Sequence, residues 1–295
     1  AVAYRTGVIL VEDPGWPVSP PWESKGVEHK DKNIIVGEEG IQRMGLAVSR
    51  EAPNILLSAK VEKFFNDTFF DRNDYRSKVI FGDIPYSYRI SLRSLDDTYH
   101  YMTGDLLPAD YGYIRRVVKI KEPSWTEIVG SNSNYWTAEP TMPTQNFIVR
   151  FDFSQLRDQT ISPVYQIDPR RESVNVTITK FEEYHNDTTN DMILQHIRFQ
   201  KVGVADDIPF EYEIEDPDLY ILRVDGNLHH LTPNTTVSEN ISLVLKPAAT
   251  ADFPLDDDSI LNIHFTFGNT KISGTHNYDY KTPPLKTGVL EVAIW

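Results

Sequence analysis

A mainly β, α+β fold is what this sequence predicts, on three observations. Apolar and polar residues alternate with period two over many short stretches, the spacing of a half-buried strand. Aromatic residues make up 12% of the chain, with 15 Tyr and 14 Phe, and such side chains pack well on a pleated surface. Helix-start signals are confined to the first ~120 residues, after which strands follow one another through short turns.

Residues 1–12 (AVAYRTGVILVE) read as a short helix in which Val2, Ala3, Val8 and Ile9 share a face, with Gly7 counting against it. Asp13-Pro14-Gly15 ends it. The competing reading is an edge strand, because Val8-Ile9-Leu10-Val11 has good β propensity. Residues 13–33 carry Pro14, Pro17, Pro20 and Pro21 and suit an irregular segment pinned by Trp16 and Trp22. Ser58 is placed to cap a helix over 59–66, and Asn73 another over 74–80. The cleanest strand comes next: Tyr86, Tyr88, Ile90 and Leu92 alternate with Ser87, Arg89, Ser91 and Arg93. Residues 113–121 (YIRRVVKIK) form another. Beyond residue 123, Phe147, Val149, Phe151 and Phe153 alternate, as do Val174, Val176 and Ile178, and then Leu261, Ile263, Phe265 and Phe267. Further strands are predicted over 192–202, 209–214, 219–225, 240–246, 260–267 and 288–295, with Asp225-Gly226-Asn227 as a tight turn. Short turns without intervening helices imply a β-sandwich of immunoglobulin-like architecture.

With 295 residues the chain can build one large β domain or two ordinary ones. Its formal net charge of −14 repels phosphate backbones and anionic bilayers, so nucleic acid is not an expected partner. There is no cysteine, which excludes disulfides, thiolate nucleophiles and Cys-ligated zinc. No stretch is long and apolar enough to span a bilayer as a helix. The chain starts at Ala1 without an initiator Met, and the expectation is that an N-terminal segment preceded it.

No nucleophile-elbow, P-loop, dinucleotide or zinc-protease motif occurs, and no catalytic residue is predicted. The eight histidines (29, 100, 185, 196, 229, 230, 264 and 276) show no helical metal spacing. His264 shares the polar face of its strand with Asn262 and Thr266. The acidic loop with Asp252, Asp256, Asp257 and Asp258 is a weak calcium candidate, as are Asp216 and Asp218, against the plainer reading of solvated acidic loops. No other cofactor is expected. Five N-x-S/T sequons start at Asn66, Asn175, Asn186, Asn234 and Asn240 and are candidate glycosylation sites.

Four segments taken together carry a family resemblance: TGVILVEDPGWP with Trp22 (6–22), MGLAVSREAPNILLSAKVEKFF (44–65), YRSKVIFGDIPYSYRISL (75–92), and the pair IRRVVKI (114–120) and GVLEVAIW (288–295). The set resembles the secreted type IV pilin-like proteins of archaea that carry a class III signal segment. The resemblance implies an N-terminal helix that continues from an apolar anchor and packs on an antiparallel sheet. In shorter members the equivalents of the last two segments lie close together. Their separation here implies a discontinuous pilin-like α+β core, 1–122 plus 286–295, with an inserted immunoglobulin-like β-sandwich over 140–285. Four of the five sequons fall within that insertion.

The expected function is that of a non-enzymatic structural or interaction protein of the archaeal cell envelope, cell-surface or extracellular, anchored by an N-terminal helix. Its expected partners are other envelope or pilus proteins, itself included. Two alternatives compete. A glycan- or partner-binding module would use Trp16, Trp22, Trp125 or Trp136, whose flat rings stack on ligands. A secreted hydrolase would need carboxylates or a His/Ser pair converging in a cleft.

Overall fold

Alternation in the two best-patterned strands sorts their residues cleanly. Tyr88, Ile90 and Leu92 are buried while Arg89, Ser91 and Arg93 face outward, and Val118 and Ile120 are buried while Val117 and Lys119 are exposed. The computed structural model describes residues 1–24, 40–130, 135, 144–183, 192–203, 210–211, 219–228, 234–251, 253–268 and 272–295. The protein is mainly β, 41% strand against 18% helix, in three mixed sheets.

The first sheet has the order β1-β4-β16-β2-β3, formed by Ile55–Leu57, Tyr113–Lys121, Lys286–Ile294, Tyr88–Ser94 and His100–Gly104. The last strand of the chain is its centre. Val292 pairs with Ile90 on one side and Ile114 on the other, and Lys286 pairs with Ile120. Only β1 runs parallel to its neighbour. One face of this sheet contributes Ile90, Leu92, Val118, Leu290 and Val292 to a buried cluster. The same cluster holds Leu10 and Val11 of α1 (Val2–Glu12), Val61 and Phe64 of α2 (Ser58–Phe64) and Tyr75 of α3 (Arg72–Tyr75).

The other two sheets feed a second buried cluster. One has the order β11-β10-β13-β7-β5: Asn227–Leu228, Tyr220–Val224, Ile241–Leu245, Val174–Thr179 and Ser124–Val129. The other is β12-β8-β14-β6-β15: Thr235–Val237, Met192–Lys201, Ile260–Gly268, Thr144–Asp152 and Gly274–Asn277. A short β9 (Phe210–Glu211) pairs with β8, and a single helical turn, α4 (Phe153–Leu156), follows β6. Ile128, Val176, Leu222 and Leu243 from the first of these sheets join Val149, Ile197, Phe265 and Phe267 from the second in one core. Two parallel pairings, β5 with β7 and β15 with β6, make both sheets mixed.

Several local expectations need correcting. The helix at 59–66 is observed as Ser58–Phe64, and Ser58 is its first residue, without a side-chain cap. The helix expected over 74–80 starts earlier and continues as a π-helical turn, Arg76–Ile80. Its cap is Asp71, not Asn73: the Asp71 carboxylate accepts from the Asn73 and Asp74 amides, and Asp74 reaches back to the Asp71 amide. Tyr86 lies before its strand, and Phe153 after its strand, in α4. In α1 the buried residues are Thr6, Gly7, Leu10 and Val11, not the face with Val2 and Ile9. Gly7 belongs to the buried face because a Cβ there would overlap the Ile114 side chain.

Candidate functional site

The outer face of the first sheet is open to solvent across four strands. Strand pairing fixes which residues meet there, because partners in register project to the same side. One row reads Val117, Val289, Arg93, His100; the next Arg115, Glu291, Ser91, Met102; a third Tyr113, Ala293, Arg89, Gly104. Lys119 pairs with Thr287 above them and donates to its hydroxyl. Val117 is 68% exposed, Met102 55% and Tyr113 47%. The Arg115 Nε donates to Glu291 Oε2 at 2.8 Å, and its guanidinium lies 5.0 Å from the Tyr113 ring centroid. Arg93 donates to Asp97, which comes from the adjoining turn. The face therefore combines Arg89, Arg93, Arg115 and Lys119 with exposed apolar groups and one carboxylate of its own, Glu291. Positive charge and exposed apolar groups are thus interleaved on one surface.

At one end of this sheet lies a buried ion pair. Lys121 Nζ sits 2.9 Å and 3.1 Å from the two Glu172 carboxylate oxygens and donates to the Gln166 carbonyl at 2.9 Å. The Asp168 amide donates to the same carboxylate. Burial pushes the Glu172 carboxyl up, and the Lys121 charge and hydrogen bond oppose this. Lys121 is on the outward phase of β4, yet its side chain is fully buried, because the segment around 166–172 covers it. The chain crosses here twice. Trp125 and Lys281 exchange backbone hydrogen bonds, and Lys286 bonds Glu122, which also accepts from the Tyr99 hydroxyl. A second buried pair, Lys60 with Glu23 at 2.7 Å, binds the Pro14 carbonyl and lies near the Trp22 ring, pinning the 14–24 segment to α2. Both pairs hold chain segments together, and each ammonium is occupied by protein oxygens.

The acidic loop is held by arginines. Asp257 accepts from Arg157 and, at 2.8 Å, from Arg170, and both guanidiniums also meet Asp168. Asp256 accepts from the Ser259 hydroxyl and the Asp258 amide, which keeps its carboxyl below the usual range. Asp258 is exposed. Asp252, Asp216 and Asp218 lie outside the described residues. Among the described residues no group of three or more His, Asp or Glu side chains is arranged to hold a metal ion.

The sequons differ sharply. Asn66 is half-buried in a turn where its side-chain oxygen accepts from the Thr68 amide and hydroxyl. Asn234 is exposed with φ 67°, and Asn240 is half-buried at the start of β13. Asn175 is on β7, a strand paired on both sides, with its side-chain oxygen buried. Asn186 lies outside the described residues. Of the tryptophans that could have formed a platform, Trp22 is fully buried and donates to the Gly45 carbonyl, Trp16 is 48% exposed, Trp125 is half-buried, and Trp136 lies outside the described residues. His264 sits opposite Ile148 and Arg198 in the sheet. His276 shares a 2.6 Å hydrogen bond with the Tyr135 hydroxyl, and burial lowers its pKa. His29, His185, His229 and His230 lie outside the described residues.

Two features escaped the sequence reading. The basic outer face was latent in YIRRVVKIK and YRISLRS, where every second residue is Arg, Lys, Val, Ser or Tyr; only strand order puts them side by side. The Lys121–Glu172 pair had no local signal, since its partners are 51 residues apart. No family model, no curated protein and no solved structure matches this chain.

Proposed function

We propose that this chain is a non-enzymatic structural and interaction protein displayed on the archaeal cell envelope, a pilin-like unit carrying an inserted immunoglobulin-like sandwich. The observation that carries this reading is the return of the chain. It leaves the first sheet at Lys121 and re-enters it at Lys286 beside Ile120, having supplied a second core in between. That is the layout expected when a domain is inserted into a hairpin of a parent fold, and it suits the spacing of the two segments that carry the family resemblance. The inserted unit, expected over 140–285, takes in β5 (Ser124–Val129) as well, since β5 pairs with β7 and Ile128 lies in the second core; its two sheets, sharing that core, form the sandwich. The unit of 1–122 plus 286–295 is the α1-bearing core, with α1 packed on its sheet and directed toward the envelope. Exposed Tyr4, Phe81 and Ile84 near the start of α1, where Arg5 binds the Ile80 and Phe81 carbonyls, support that orientation.

The test is display. The complete gene, tagged within a sandwich loop and expressed in its native host, should give a tag that external protease removes from intact cells. A tag protected in intact cells and released only on lysis would overturn the reading. Mass spectrometry of the same material should find glycans at Asn66 or Asn234 and none at Asn175, whose buried amide oxygen and double strand pairing leave a transferase no access.

A further inference from the structure

We infer that the outer face of the first sheet docks onto an acidic surface of a second copy of this chain, a contact that rests on the structural-subunit reading above and names its partner. Among the described residues the face holds four Lys and Arg side chains but one Asp or Glu of its own, Glu291, with Asp97 reaching in from the adjoining turn, in a chain of 29 Lys and Arg and 43 Asp and Glu residues. The rest of the same molecule is therefore strongly acidic, and the complement that the face requires is carried by every other copy. The face is also built like a protein interface. Arg outnumbers Lys three to one, and Tyr113, Met102, Val117 and Val289 are interleaved with the charges. A nucleic-acid or bilayer footprint would instead concentrate positive charge with few apolar groups between.

Two copies with a net charge of −14 each repel at long range. At physiological ionic strength that repulsion is screened beyond about 8 Å, whereas ion pairs at a partly desolvated contact are screened far less. Because a basic face meets an acidic surface elsewhere on the neighbour, the contact is heterologous. It leaves one of each surface free, so that further copies add head to tail, into a ring or an open chain according to the rotation between neighbours.

The experiment uses the whole 295-residue chain. Sedimentation velocity from micromolar to near-millimolar concentration, at ~0.15 M salt and again at ~1 M, should show concentration-dependent association that high salt removes. In a mixture of unlabelled and nitrogen-15-labelled protein, a carbodiimide should join Lys119 of one copy to an Asp or Glu of another. Arg89→Glu with Arg115→Glu should weaken association by roughly tenfold or more. Both positions are on the open face, and Arg89→Ser with Val117→Ser gives a second, milder variant; circular dichroism verifies that each is folded. A monomer under all conditions, or association that neither variant changes, would overturn the proposal. So would a monomer that binds heparin or phosphatidylglycerol vesicles through the same arginines. Display is tested separately: a protease-accessible monomer would leave the envelope reading standing and sink only the docking contact.

Discussion

Gly45 shows how one residue can hold two chain segments in register. A Cβ at this position would overlap the Asp13 carbonyl, and the Gly45 carbonyl accepts from Trp22 Nε1 at 2.9 Å. Both neighbours are fixed, one as backbone and one as a fully buried ring. Gly45→Ala is therefore expected to lower stability by about 2–3 kcal/mol in a urea titration. Gly7→Ala should cost less, about 1 kcal/mol, because its obstacle is the movable Ile114 side chain and alanine recovers helix propensity. Asp96 offers a test in pH. Its carboxylate accepts from the Ser94 hydroxyl and the Thr98 amide, which holds its pKa down at about 2 from an ordinary value of 3.8. A carboxyl held low stabilises the fold above its ordinary pKa and ceases to do so as pH falls through the lowered one. Urea midpoints of Asp96→Asn should accordingly lie below those of the parent at neutral pH and converge with them near pH 2.

At the scale of the element, the strands that periodicity found are those with a buried face. Val174, Val176 and Ile178 of β7 and Leu261, Ile263, Phe265 and Phe267 of β14 each line the second core. Three of the strands it missed, β3, β5 and β15, lack a fully apolar buried phase, and a fourth, β1, is only three residues long. The buried residues of β5 include Ser124 and Thr126, and neither β3 nor β15 buries any of its residues. Such edge strands exist because a neighbour offers unpaired backbone groups, which composition does not record. Turns are similar: the Asp225-Gly226-Asn227 hairpin between β10 and β11 was legible from its residue types, but the role of Asp225 was not. Its carboxylate accepts from the backbone amides of Ser238, Glu239 and Asn240, so it ties this hairpin to the β12–β13 connection. Asp225→Ala should destabilise by about 2–3 kcal/mol and Asp225→Asn by about 1 kcal/mol, since asparagine keeps one acceptor and tolerates the left-handed backbone. Thermal melts of the two variants separate these values.

At the scale of the molecule, the junction concentrates the energetics. Lys121→Met leaves the Glu172 carboxylate buried without its partner and is expected to cost about 3–5 kcal/mol. Adding Glu172→Leu should recover most of that loss, because the paired charges gain little over a well-packed apolar pair. Denaturation of the two single variants and the double variant closes this cycle. The crossing also predicts a minimal unit. Since Ile120 and Lys286 are already antiparallel partners, replacing 122–285 by a short Asn-Gly turn should leave 1–121 joined to 286–295 as a cooperatively folding protein. Near-ultraviolet circular dichroism and amide exchange of Leu290 and Val292 would report it. A molten or aggregated product would show that the inserted unit is needed for the first core to form.

The sequence by itself determined the class of the molecule. Its period-two alternation, aromatic content and lack of helix signals beyond the first ~120 residues specify strands that each hide one face, because burial of an alternating stripe is a local property of the chain. Its charge and lack of cysteine restricted the chemistry in the same local way. What only the tertiary structure decided is which strands meet. The final ten residues lie at the centre of the first sheet, four basic residues from two distant stretches share one open face, and an outward-phase lysine is buried against a glutamate 51 residues away. Each of these depends on loop closure and strand pairing across most of the chain, and neither leaves a mark in local sequence.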